Sequence, residues 1–572
     1  DLPFTHPGGH TYLNQFGAYN FGTLEVIKGP GSSLYGAGTG GVLLAQPSPS
    51  YDPRSLTAEY TRGSYGMQNA FVSLQTDTGA FRNKISFQHQ ESDGYRVHSA
   101  LERNVFSWTS EARIGTQGTL KTTFIYGDLF YQTPGALTRA EYNVDPKSAR
   151  PGNAAFPGAE AAQASVRQRT FLAGASYTTQ ISPLFKNTTA LYGAHTQLLN
   201  PAIQNYGRIS EPHYGGRSTF VFDKKLPGSI VRVHAGAEWQ QGSTIAGVHR
   251  NRGGAPDSLM QSYEVTNRQS LLFTQLSIEA GGFTAVAGAS LNDLRIKYQN
   301  FLPRALPTQE RQFRNILAPR LALLKKVGNT NLYTSVARGF SPPSTEEFFP
   351  SGSVPNIALN AEEGLNYDLG LRTGFRGINL DVNLFHFSLQ NSIVQLRTAG
   401  GGSQFVNAGS TVQKGIESSI TMPLLRRAAG IKTSSLWLSH AFHHFRYRDF
   451  TKDTVDLSGK QLPGVPPHTL SAGFQLTAAN GLLIGLSYLY NDKAPLTDAN
   501  NVYSSAFSLL GARIGYERMM NTHWSARVVI GADNLLDEDY SLGNDINGFG
   551  GRYFNAAPGR NYYVTLALAW QK

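Results

Sequence analysis

The connections in this chain alternate between short and long, and that constrains its fold more than any single motif. Short polar turns lie at 77–80, 116–118, 181–183, 227–229, 280–282, 327–330, 375–377, 478–481 and 519–522. Longer segments that read as loops lie between them, at 132–167, 198–215, 243–268, 300–317, 341–364 and 533–560. The stretches that these connections join alternate polar and apolar residues. Ile378, Leu380, Val382 and Leu384 interleave with Asn379, Asp381 and Asn383, and Leu470, Ala472, Phe474 and Leu476 form a second apolar row. Near the end of the chain, Tyr562, Val564, Leu566, Leu568 and Trp570 share one face. Period two with one apolar face is the signal of a strand. Short turns on one side and long loops on the other are the pattern of an antiparallel barrel that spans a membrane.

No apolar run approaches the roughly eighteen residues that a membrane helix needs, so the chain does not cross a bilayer with helices. A barrel escapes that test, because its lipid-facing and lumen-facing residues average out. The expectation is an all-β, transmembrane antiparallel β-barrel of about 22 strands. An even number returns both ends of the barrel to the short-turn side. Trp524, Trp570, Tyr488 and Tyr490 fall near predicted strand ends, where aromatic girdles sit. The chain has no Cys, which excludes zinc ribbons, Fe–S centres and thiol catalysis. Its formal net charge of +11 is spread through loops rather than gathered in a basic run, so a nucleic-acid partner is not expected. Attraction of anionic solutes or lipid phosphates fits the charge instead.

At the front of the chain stands LEVIKGPGSSLYGAGTGGVLL, residues 24–44. Its glycines do not make a nucleotide loop: Gly41 is followed by Val42 and Leu43 rather than Lys-Ser/Thr, and no GxGxxG opens a helix. On their own, the residues describe a strand, a Gly/Ser turn and a second strand.

The block resembles the plug signature of TonB-dependent outer-membrane receptors. Glu25, Lys28, Gly29, Pro30, Ser32, Ser33, Tyr35, Gly36, Gly40 and Gly41 fall on that signature. Other landmarks are similar to the same family: ARGFSPP at 337–343 with Glu346 and Glu347, LNAEEGLNYDLGL at 359–371, FVNAG at 405–409, KGIE at 414–417, DNLLD at 533–537 with Tyr540, and PGR at 558–560. The resemblance implies residues 1–50 as the C-terminal part of a plug domain and 51–572 as the barrel. It further implies a bacterial outer-membrane location, contact with lipopolysaccharide and membrane lipid, and a monomer. Family plugs begin with a TonB-binding segment. Either that segment lies upstream of Asp1, or the chain is a receptor that does not couple to TonB.

The resemblance also implies active import of a scarce solute, for which a ferric chelate of the siderophore or ferric-citrate kind is the leading expectation, as substrate rather than cofactor. Receptors for cobalamin, sugar or peptide, and a non-transporting adhesin, are the alternatives. In such receptors the segment before the signature faces the vestibule. Here the Pro7-Gly8-Gly9 turn is expected to present Thr5, His6, His10, Tyr12, Asn14 and Gln15 as hydrogen-bonding groups. Arg139 and Arg150, in a loop resembling that of ferric-siderophore receptors, can meet carboxylates in bidentate fashion. Arg250, Arg252, Arg304, Arg311 and Arg314 add positive charge in other long segments.

No residue set is assigned as metal-ligating. In HAFHH, His440 and His444 share a strand face and His443 points the other way, which rules out joint ligation. Haem receptors of the family carry FRAP where this chain has Phe340-Ser-Pro-Pro343. Catalysis is not expected, since HExxH and GxSxG are both absent.

Overall fold

In the computed structural model, which describes residues 2–46, 54–349, 356–397, 403–428, 430–452 and 454–572, 22 antiparallel strands close into one barrel. Closure joins the first barrel strand, Arg54–Gly63, to the last, Asn561–Gln571, with Leu56 opposite Trp570 and Tyr60 opposite Leu566. A closed sheet has no free edge, so every strand finds hydrogen bonds on both sides without help from water. The last strand shows how sequence sets the faces. Tyr562, Val564, Leu566 and Leu568 are 42–55% exposed on the outer, lipid side, while Thr565 and Ala567 are buried. Trp524 and Trp570 sit directly opposite each other at strand ends.

All nine short turns coincide with hairpin ends. Three of the six long segments do not hold as loops. The strands Phe185–Pro201 and Asn205–Leu226 run almost to each other, and Ser229–Arg252 and Ala255–Ala280 meet at Gly253-Gly254. Across 300–317 the strands Phe283–Leu302 and Gln309–Val327 also continue beyond the expected limits. Polar residues occupy both faces of these extensions, so they lack the alternation that marks a half-buried strand. They lie on the side of the long loops, as a wall rising around the mouth.

The N-terminal residues lie inside this wall. Strands Thr23–Lys28 and Gly41–Gln46 form a two-stranded hairpin, and a single helical turn, Ser32–Tyr35, separates them. The barrel begins at Arg54, and the expected boundary at 50/51 falls outside the described residues.

Two adjacent glycines of the signature have different reasons to be there. Gly41 has φ +149°, and a Cβ on it would lie 2.5 Å from the Ile27 carbonyl oxygen across the hairpin. A Cβ on Gly40 would meet nothing within 4 Å. Gly41→Ala is therefore expected to destabilise the hairpin by about 2 kcal/mol or more through steric and backbone strain. Gly40→Ala is expected to stay within about 0.5 kcal/mol of the parent. Hydrogen exchange of the Thr23–Lys28 amides measures both.

Candidate functional site

The segment preceding the signature forms the top of the plug. Two backbone bonds close its first turn, Gly9 N–H to the His6 carbonyl at 2.8 Å and His6 N–H to the His10 carbonyl at 2.9 Å. Gly9, at φ +90°, makes the reversal possible without strain. The barrel holds this turn from several sides. Gln269 donates to the Pro7 carbonyl (2.9 Å), Thr345 N–H to the Gly8 carbonyl (2.8 Å), and Arg103 to the carbonyls of Asn14 (3.2 Å) and Phe16 (2.8 Å).

Within the turn, the six polar residues separate into two groups. Thr5 and Asn14 are exposed, and the Thr5 hydroxyl bonds that of Thr11 at 2.8 Å. His6 and Gln15 are buried against the wall, at 2% and 0% exposure. His10 and Tyr12 lie between these extremes, and both turn toward Glu211 on the strand Asn205–Leu226.

Glu211 is 1% exposed and accepts from His10 Nδ1 (2.9 Å), Tyr12 Oη (2.7 Å) and Thr244 Oγ1 (3.2 Å). A buried carboxylate is tolerated only when it is paired and hydrogen-bonded in this way. Burial opposes a charge on His10, but the bond to Glu211 and its negative charge outweigh that and raise the His10 pKa. Burial, with Glu211 beside it, likewise pushes the Tyr12 hydroxyl pKa up, so Tyr12 remains a donor. For His6 burial dominates and lowers the pKa to about 4, leaving the ring neutral. Its Nδ1 accepts the Gly8 N–H at 2.9 Å. His213, two residues beyond Glu211 on the same strand face, packs edge-on to His6 with ring centroids 5.1 Å apart. Gly242 opposes His213 on the neighbouring strand, and its lack of a side chain admits His6: a Cβ there would sit 2.5 Å from Nε2.

Lower down, the signature residues lock the plug to the barrel. The Arg217 guanidinium donates to the Leu34 carbonyl (2.9 Å) and to Glu238 (2.6 Å), and lies over the Phe273 ring at 4.3 Å and the Tyr35 ring at 5.5 Å. Ser290 donates to the Ser32 carbonyl (2.6 Å), and Gly38 N–H bonds the Phe340 carbonyl (2.8 Å). Pro30 packs where Gly339 leaves room, and Gly29 faces Asn366. Gly36 turns the chain out of the helix at φ +78°. Lys28 reaches Glu417 at 2.6 Å, an exposed pair contributing at most about 1 kcal/mol. Glu25 is exposed on the hairpin, opposite Leu44.

The two loop arginines are engaged within the mouth. Arg139 stacks on Phe554 (3.9 Å) and donates to the Tyr503 carbonyl (3.0 Å). Arg150 is half-buried, and burial together with the neighbouring Arg552 lowers its pKa. Among the histidines of HAFHH, His440 faces His468 (3.2 Å), His443 the Pro466 carbonyl (3.1 Å) and His444 the Arg446 guanidinium (3.0 Å). Sequence reasoning missed Glu211, His213, Thr244, Arg217, Glu238 and Arg103, the barrel's side of the junction.

A closed 22-strand antiparallel barrel that holds a folded N-terminal segment against its inner wall has the architecture of an outer-membrane β-barrel protein. The sequence profile of the family described as "TonB dependent receptor-like, beta-barrel" matches residues 8–535, and the chain belongs to that family. It is a receptor and transporter of the outer membrane, not an enzyme. Solved structures share the fold at low identity. The ferric citrate transporter FecA in its unliganded form superposes with a TM-score of 0.84 at 18% identity, covering 99% of this chain and 87% of FecA. The siderophore receptor PiuA from Acinetobacter baumannii gives 0.78 at 14% identity, over 96% and 86% of the two chains. The copper transporter OprC gives 0.77 at 15%, over 100% and 89%.

Proposed function

We propose that this receptor imports a small, oxygen-rich ferric chelate of the siderophore or ferric-citrate kind, driven through TonB. The observation that carries this reading is the top of the plug, where Thr5 and Asn14 offer exposed hydrogen-bonding groups beside the half-buried His10 and Tyr12, inside a closed wall. The formal net charge of +11 favours attraction of an anionic complex. The fold likeness to a ferric citrate transporter and a siderophore receptor is consistent with it.

Equilibrium binding of ferric citrate, a ferric hydroxamate and a ferric catecholate to the purified receptor tests the proposal. One of the three is expected to bind saturably. Each of Thr5→Ala and Asn14→Ala is expected to weaken that binding about fivefold, the worth of roughly one hydrogen bond of 1 kcal/mol. Binding of none of the three, with saturable binding of cobalamin, a sugar or a peptide, would overturn it.

A further inference from the structure

The hydrogen bonds around Glu211 account for that carboxylate, for Tyr12 and for one nitrogen of His10. They do not account for the other imidazoles. His6 Nε2 and both ring nitrogens of His213 are buried without a hydrogen-bond partner among the described residues, on side chains 2% and 5% exposed. The carbonyls of Pro212 and Ser243 lie near the His6 ring and that of Glu211 near the His213 ring, but none meets hydrogen-bonding geometry with the unpartnered nitrogens. Leaving such donor and acceptor nitrogens unpaired in a dry interior is costly unless something else takes up their bonding capacity.

One nitrogen each of His6 and His10 and a carboxylate oxygen of Glu211 lie within 4.8 Å of one another. Ligand atoms around a tetrahedral Zn²⁺, with bonds near 2.0–2.1 Å, stand about 3.4 Å apart. Shifts on the order of 1 Å would therefore bring these three onto a common ion. We propose that His6, His10 and Glu211, with His213 as the adjacent fourth ligand, bind a borderline divalent cation (Zn²⁺, Cu²⁺ or Ni²⁺) at the junction of plug and barrel. Imidazole-rich sites with one carboxylate suit these ions, whereas bare Fe³⁺ prefers oxygen donors.

The site draws two ligands from the plug and two from one barrel strand, so an ion there crosslinks the two parts. Binding replaces the proton between His10 Nδ1 and Glu211. It also disturbs the Gly8 turn. Coordination through His6 Nδ1 displaces the Gly8 N–H, and coordination through Nε2 moves the ring proton to Nδ1 and evicts that same N–H. The Gly8 carbonyl accepts from Thr345 N–H, so the change passes to the loop that follows the strand Thr330–Ser341.

The experiment titrates Zn²⁺ and Cu²⁺ into the detergent-solubilised full chain against a chromophoric chelator. One equivalent is expected to bind. Glu211→Gln and His10→Gln are each expected to lower affinity at least tenfold, and His443→Gln to leave it unchanged. Zinc K-edge spectra of the loaded protein are expected to show imidazole scattering that weakens in His6→Gln, and folding of every variant is checked by heat-modifiable gel mobility. No bound equivalent in the parent, or binding that Glu211→Gln and His10→Gln leave intact, would overturn the site. Chelate binding is read on metal-free protein, so the site and the ferric-chelate reading fail separately.

Discussion

Arg217→Met is expected to free the plug helix from the barrel without opening the barrel itself. Arg217 and Glu238 are a buried pair, their side chains 12% and 8% exposed, facing each other across neighbouring strands. Removing the guanidinium strands the Glu238 carboxylate in a dry site and takes the donor from the Leu34 carbonyl. Breaking a buried pair from one side costs about 3–5 kcal/mol. The loss is local, because the barrel ladder at Arg217 and Glu238 is made by their backbones and not by these side chains. Protection of the Gly38 amide, bonded to Phe340, is therefore expected to fall by roughly two to three orders of magnitude. Adding Glu238→Leu removes the stranded charge and is expected to restore most of the protection. Unchanged exchange in the single variant would mean that Ser290 and Phe340 hold the helix without Arg217.

Asp498→Ala is expected to loosen the extracellular mouth. Asp498 is 2% exposed and accepts from the Tyr447 hydroxyl (2.8 Å), Asn547 Nδ2 (3.0 Å) and Lys452 Nζ (3.3 Å). Tyr447 is itself 2% exposed, and Asn547 also donates to the Gln395 carbonyl (3.1 Å). One carboxylate thus joins four separate segments of the mouth. Its loss leaves the buried Tyr447 hydroxyl without its acceptor, at about 1–3 kcal/mol, while the Lys452 ammonium, 31% exposed, can turn to water. Limited proteolysis is expected to cut the 450–465 segment at least tenfold faster, with Asp498→Asn, which keeps one acceptor oxygen, in between. Equal cleavage rates in all three proteins would show that the apolar contacts of Tyr447 with Phe450 and Leu457 suffice.

The strands that cross the membrane are legible because lipid on one side and plug or water on the other enforce alternation. Tyr562, Val564, Leu566 and Leu568 show it plainly. The extensions above the membrane escape that rule, since both faces there are polar, and so 198–215 and 243–268 read as loops. The site's second half was hidden for the same reason. Glu211, His213 and Arg217 share one face of Asn205–Leu226 at even spacing. That row is a lumen-facing signal, but it is recognisable only once the segment is known to be a strand. His6 and His10 stood out in the sequence as polar groups in a turn. Nothing local indicated that His6 would be buried, because its burial is set by the Gly242 gap on a strand more than two hundred residues away.

The most direct measurement of the central claim is iron-55 uptake by intact cells with and without this gene, in backgrounds with and without TonB, supplied as citrate, hydroxamate or catecholate chelates. The account predicts saturable uptake of one chelate that requires both the gene and TonB. Uptake that persists without TonB, or no gene-dependent uptake of any chelate, would contradict energised import of ferric chelates by this receptor.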